Sequence, residues 1–335
     1  ILKERHPYHS WLKKYSVKVP SFDNKKENPL DFTSKQLQIY KKLFSVTFEE
    51  EADIIAPLAE IAQEATGSMG DDTPMPVLSL KNRSIYDYFR QQFAQVTNPP
   101  IDSLREASVM SLEVCIGKER NLFEESSKHA DRLVLSSPVL DRQTYEAILS
   151  SKYKKYPHDL ININYDNSID LEEAINTICD RVTRSVKKGN ITIVLSDKKI
   201  NKNQLTIPAP MAVGAIHHKL INIGLRCDTN LIIETGSARN PHHFAVLLGY
   251  GATAIYPYLA FEILNEMVAK KKLTIQKYSE SVKNYTNGIN KGILKIMSKM
   301  GISCVSSYRG AQLFEIVGLD DNIVNLCFKD TISRV

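Results

Sequence analysis

The densest group of reactive side chains lies in the stretch ETGSARNPHHF at 234–244, where Glu234, Ser237, Arg239, His242 and His243 crowd into one loop. A carboxylate, a guanidinium and two imidazoles so close together can move a proton, hold an oxyanion or ligate a metal. Asn240 is a good N-cap and Pro241 a good first helical residue, so the loop should open directly into a helix. His242 and His243 then fall in the first turn, where the helix dipole disfavours an imidazolium. Adjacent helical residues point about 100° apart, so these two rings present poorly to a single ion. The same geometry applies to His217–His218 inside AVGAIHHKLIN. One histidine of each pair packing inward, its ring nitrogens hydrogen-bonded, is the plainer expectation. If this loop does chemistry, Glu234, Arg239 and His243 are the residues to carry it, in a stand-alone (β/α)-barrel enzyme.

Other candidates are thinner. Asp71–Asp72, in GSMGDDTPMPVLS at 67–79, form a carboxylate pair in a Gly-rich turn, where capping of backbone amides is commoner than a shared proton. SYRGAQ at 307–312 places Arg309 and backbone amides after an expected strand; they can meet an anion or simply enter a helix. GYGAT at 249–253 reads as a helix stop and a turn. Cys115, Cys179, Cys227, Cys304 and Cys327 lie far apart without a C-x-x-C, so neither a zinc nor an iron–sulfur ligand set is visible. Free thiols in a reducing compartment are expected, and no G-x-S-x-G marks a nucleophile. One feature is conformational rather than reactive: QVTNPPIDSLRE at 95–106 sets Pro99–Pro100 behind Thr97–Asn98. Two prolines fix φ and remove two donors. Ser103 with Glu106 reads as a capping box beyond them, so the turn is stiff.

Helical and strand-like patterns divide the chain. Residues 1–30 are polar and Pro-punctuated, an arm or linker with Trp11, Leu12 and Tyr15 as anchors. Residues 31–129 read as mainly helical. Thr33 with Gln36 and Thr47 with Glu50 are capping boxes; the second helix carries Ile54, Ile55, Leu58, Ile61 and Ala62 on one stripe and stops at Gly67. Ile85, Phe89 and Phe93 suggest a third helix by their spacing. Over 130–335 short apolar runs at 132–137, 159–164, 191–196, 230–235, 252–257 and 302–307 alternate with helices near 141–150, 169–188, 210–224, 241–249, 258–270 and 275–300. Such runs, separated by helices, are what parallel βα units require. About six units are fewer than a closed barrel holds, so an α/β fold with a partial, degenerate (β/α) barrel-like parallel sheet is expected. Function in such a layer sits at strand C-termini, here Asp197, Glu234, Thr235, Tyr256 and Tyr308–Arg309.

Composition removes several classes. The 335 residues, 43% hydrophobic and 24% charged, suffice for a full core without staples. The +5 net charge is scattered rather than clustered, which argues against nucleic-acid binding. No apolar run reaches about 18 residues, so no membrane span is expected. The chain starts at Ile1 without an initiator Met or a signal peptide, the look of a piece cut from a longer polypeptide.

Several strings also carry a resemblance. GSMGDDTPMPVLS, YDYFRQQFAQVTNPPIDSLREASVMSLE, AVGAIHHKLINIGLR, IIETGSARNPHHFAVLLGYGATAIYPYLA and KGILKIMSKMGISCVSSYRGAQLFEIVGL resemble, in the same order, the central domain of the glutamate synthase large subunit. The likeness covers nearly the whole chain. It implies a rudimentary relative of the FMN barrel that joins a glutamine amidotransferase domain to the FMN domain. In that family glutamine and 2-oxoglutarate give two glutamates, with electrons from NAD(P)H or ferredoxin, and ammonia crosses an internal tunnel. The amidotransferase nucleophile, an N-terminal Cys, and the FMN and iron–sulfur sites would lie outside these residues. The resemblance therefore implies a non-catalytic connecting domain without cofactor or metal of its own. Its partners would be the flanking domains and, through the parent enzyme, a small subunit or ferredoxin; its compartment would be the cytoplasm or a plastid. The turn holding Thr97, Asn98, Pro99 and Pro100 would lie near the ammonia route. SARNPHH keeps the family's Arg and His pair and departs from its usual pattern at Ser237, Asn240 and Pro241.

Overall fold

The computed structural model describes residues 2–20, 31–65, 83–92 and 99–334. Four runs rich in Ile, Val and Leu form β1 (His158–Asn162), β2 (Thr192–Ser196), β3 (Asn230–Glu234) and β4 (Ala254–Tyr256). They pair in parallel in the order β4-β3-β2-β1. Every residue of β2, β3 and β4 is buried, as a parallel sheet covered on both faces requires. The run at 132–137 supplies strand Leu133–Leu135, antiparallel to Val114–Ile116 and parallel to Val17–Lys18. Just beyond it Val139 bridges Ile255 in parallel. The earliest βα unit thus lies beside the latest strand, the closing contact of a barrel, and the fold is a partial, barrel-like α/β layer.

The helices that cover the sheet follow from their ends and faces. The labelled helices are α1 (Ser34–Leu43), α2 (Ala56–Ile61), α3 (Arg142–Leu149), α4 (Leu171–Lys187), α5 (Ala209–Asn222), α6 (Pro241–Gly249), α7 (Tyr258–Ala269) and α8 (Tyr278–Lys299). The Thr33–Gln36 capping box opens α1. Asp170 caps α4 by accepting from the Glu173 amide, Glu172 and Glu173 sit in its first turn, and Arg184 and Lys187 close its last; all of these complement the helix dipole. Thr47 accepts from the Glu50 amide at 3.1 Å, and a π-helical turn, Glu50–Ile55, leads into α2. The long α8 packs on α2 and α6. It can approach because Gly288 and Gly292 carry no side chain: a Cβ on Gly292 would come within 2.5 Å of Pro241, and one on Gly288 within 2.6 Å of Leu58.

Four local expectations are corrected. The 302–307 run is not a strand; Val305–Tyr308 is a short helix and Cys304 makes only an isolated bridge to Ser111. Ile85–Tyr88 is a single 3₁₀ turn, and Phe89–Gln91 is a strand antiparallel to Phe314–Val317. Phe93 lies outside the described residues. Helix α2 stops at Ile61, with Ala62 left-handed at φ 52°, so Gly67, also outside the described residues, does not end it. Behind Pro99–Pro100 the cap falls on Asp102 rather than Ser103. Asp102 Oδ1 accepts from the Leu104 and Arg105 amides, and Glu106 accepts from the Asp102 amide at 2.8 Å. A 3₁₀ turn, Ala107–Val109, follows instead of an α-helix.

Candidate functional site

The C-terminal ends of β2 and β3 bring together Ser196, Asp197 and Lys198 with Glu234 and Thr235. Glu234 is buried, accepts from Ser196 Oγ, and has Lys198 Nζ 3.7 Å from its other oxygen. Asp197, 1% exposed, accepts from Thr235 Oγ1 and from the Gly236 amide at 3.0 Å. Burial pushes its carboxyl up to about 7, the nearby Glu234 charge adds to the rise, and the Thr235, Tyr258 and Gly236 donors oppose it. Tyr256, at the end of β4, stacks on Tyr145 of α3 at 4.4 Å.

Arg239 and His243, from the loop and first turn after β3, are placed by helix α6. Asn240 caps this helix, its Oδ1 accepting from the His243 amide at 3.1 Å. The Arg239 guanidinium is buried: Nε donates to Glu50 at 2.6 Å and Nη1 to the Gly236 carbonyl at 2.9 Å. His243 Nδ1 accepts from the Arg239 amide at 3.2 Å, and the ring stacks on Tyr86 at 4.2 Å. Burial, then Arg239 and His242, hold its pKa well below that of free imidazole. His243 is therefore a neutral packing element, and Arg239 faces Glu50 rather than Glu234. The structure gathers Glu234 and Asp197 at the strand ends but does not join Arg239 and His243 to them as one reactive set.

The other histidines of the two adjacent pairs also have structural partners. His242 Nε2 donates to the Tyr86 carbonyl at 3.0 Å. His217 Nδ1 accepts from Arg226 Nε at 2.9 Å, and burial with the Arg226 charge pushes its pKa down to about 3. His218 Nε2 lies 2.9 Å from Gln312 Nε2. Among the described residues no group of three or more His, Cys, Asp or Glu side chains is set to hold a metal. Arg309 follows a short helix rather than a strand and lies 3.5 Å from Thr253 Oγ1. Thr97, Asn98, Asp71 and Asp72 lie outside the described residues. Pro99 and Pro100 are exposed, and the next amide, Ile101, donates to the Ser298 carbonyl of α8 at 2.9 Å.

The segment 31–50 closes over the strand ends. Asp31 pairs with Lys198 at 2.6 Å and with Arg142 at 2.8 Å. Tyr40 donates to the Lys198 carbonyl. Phe32 stacks on Tyr40 at 4.4 Å and meets Tyr258 edge-on at 6.0 Å. Phe44 lies against Gly236, where a Cβ would meet its ring at 2.6 Å. Lys41 Nζ bridges Glu51 and Glu266 of α7. No spacing rule relates Asp31 to Lys198 or Arg142, so sequence patterns carried no sign of this closure.

Comparison with known proteins gives a family match over most of the chain. The family described as "Glutamate synthase central domain" matches residues 39–320. The NADH glutamate synthase of Saccharomyces cerevisiae is 40% identical over 357 aligned positions, covering 100% of this chain and 16% of that protein. The ferredoxin-dependent glutamate synthase of Pyropia yezoensis is 41% identical over 312 positions, 90% of this chain and 20% of that one. The NADPH glutamate synthase large chain of Bacillus subtilis is 38% identical over 332 positions, 98% and 21%. The chain thus spans about a fifth or less of the length of these relatives.

Proposed function

The chain belongs to the glutamate synthase central domain family, and from that premise we propose that it is the non-catalytic connecting domain of a glutamate synthase polypeptide. The observation that carries this reading is the closed strand mouth. Where parallel α/β layers bind their ligands, Asp31, Tyr40, Phe44 and Glu50 of the same chain stand on Lys198, Gly236 and Arg239. A flavin does not fit these residues: Phe44 fills the approach to the Gly236 backbone, and the Lys198 and Arg142 cations are already taken by Asp31. FMN and an iron–sulfur cluster belong, in this reading, to other parts of the polypeptide.

The domain would hold an amidotransferase domain and an FMN domain in fixed relation, with residues 1–30 as linker and 31–129 and 130–335 as its two parts. Thr97 and Asn98, set by Pro99–Pro100, would line part of the ammonia route between the two reaction sites. A conduit needs a dry, rigid wall with a few polar groups, and the anchoring of Ile101 on α8 suits that role. The parent enzyme would make glutamate from glutamine and 2-oxoglutarate, with a small subunit or ferredoxin as electron-delivering partner. No helix among the described residues is long and apolar enough to cross a membrane, which suits the cytoplasm or a plastid. In the full-length enzyme, Asn98→Ala or Thr97→Val should raise the glutamine hydrolysed per glutamate formed while sparing ammonia-dependent synthesis. One-to-one coupling in both variants would remove the channel role.

A further inference from the structure

Lys198 and Arg142 grip a carboxylate that comes from outside the sheet, and we infer that they form a small-carboxylate binding site which the chain fills from within, with Asp31 as its resident ligand. Asp31 Oδ1 accepts from Arg142 Nη2 at 2.8 Å and Oδ2 from Lys198 Nζ at 2.6 Å. One cation on each oxygen, one of them a planar guanidinium, is the arrangement that recognises a carboxylate. The site stands at the C-terminal ends of parallel strands, beside Glu234 at the end of β3 and Tyr256 at the end of β4.

A further acidic side chain borders the pair. Glu262 Oε1 accepts from the Asp31 amide at 3.1 Å. Its second oxygen has no hydrogen-bond partner among the described residues. Glu262 is 7% exposed. A buried acceptor left unpaired is costly unless a donor such as water reaches it. The local charge sets the ligand class. Glu234 lies 3.7 Å from the Lys198 ammonium and Glu262 lies beside Asp31, so a singly charged carboxylate suits the site and a phosphate dianion does not. The Asp31 side chain is 27% exposed, and its removal opens the site to solvent.

Acetate, which matches the aspartate side chain atom for atom, is the probe. In the full-length polypeptide, Asp31→Ala should show saturable, ligand-observed NMR transfer to the acetate methyl, which the wild type lacks. Adding Arg142→Gln should weaken that binding at least about tenfold, since a hydrogen bond to a charged group is lost. Chloride at equal ionic strength should not compete. Absence of saturable acetate binding in Asp31→Ala overturns the site. So does equal binding in the double variant, or competition by chloride as effective as that by unlabelled acetate. Should Asp31→Ala fail to fold, Asp31→Asn keeps the shape and loses the charge. Hydrogen exchange of peptide 31–36 should then run severalfold faster than in the wild type, and an unchanged rate overturns the site equally.

Discussion

Asp197 shows how one buried side chain can set a pH dependence without any reaction attached to it. Its carboxyl is raised from 3.8 to about 7, by burial first and then by Glu234, against the hydrogen bonds from Thr235, Tyr258 and Gly236. The folded chain therefore holds this proton more tightly than the unfolded chain does. The stabilisation is complete below the unfolded value near 4 and is lost as the pH rises through 7. Asp197→Asn keeps the shape, still accepts from Gly236, and carries no charge to desolvate; the Thr235 hydroxyl can turn toward Ser237, 2.8 Å away. Between about pH 4 and pH 8 the stability of Asp197→Asn should rise relative to wild type by about 2–4 kcal/mol. Denaturant midpoints measured across that range check it, and parallel pH profiles for the two proteins would show that the carboxyl titrates normally. His217, neutral beside Arg226, acts in the opposite direction, its contribution present above about 6.5 and lost as the pH falls through about 3.

Between elements, the close approach of α8 to α2 and α6 decides what a small substitution does. A helix-interior Gly→Ala normally stabilises by about 1 kcal/mol through helix propensity. At Gly292 the added Cβ would come within 2.5 Å of Pro241, and at Gly288 within 2.6 Å of Leu58. Both substitutions should therefore destabilise, by about 1–3 kcal/mol, whereas Asn287→Ala on the exposed face should be neutral or slightly stabilising. Thermal or denaturant unfolding of the three variants reads the sign directly, and a stabilising Gly292→Ala would mean that the helices stand further apart. Helices α3 to α8 were legible because their apolar period, caps and terminal glycines are local signals, as Asp170 and Asn240 illustrate. The Ile85–Phe89–Phe93 spacing misled because Phe89 is fixed by pairing with Ile316, a partner far away in sequence. The site was legible in the same partial way: proximity picked out Glu234, Arg239 and His243, while Glu50 and Asp31, which decide what Arg239 and Lys198 do, leave no trace in spacing.

Across the whole molecule, α8 joins the closed strand mouth to the proline turn. Its 22 residues span about 33 Å. At its N-terminal end Tyr278 feels the charges of Glu262, Arg142 and Asp31; near its C-terminal end Ser298 accepts from the Ile101 amide, directly after Pro99–Pro100. Residues 99–101 are therefore restrained in two separable ways, by the prolines and by the tether, and if they adjoin the ammonia route the tether sets where they stand. Ile101→Pro separates the two, because it extends the proline run and removes the only hydrogen the Ile101 backbone can donate. Pro99, which precedes Pro100, is already limited to extended conformations, and Ile101→Pro would place the same limit on Pro100. In the full-length enzyme Ile101→Pro should increase the glutamine hydrolysed per glutamate formed, while synthesis from added ammonia stays near wild type. Ile101→Val, which keeps the amide, should leave the ratio unchanged. Measuring glutamine loss and glutamate gain in one assay gives the ratio for all three proteins. If Ile101→Pro remains fully coupled, the position of the turn does not depend on α8, and the prolines alone hold it.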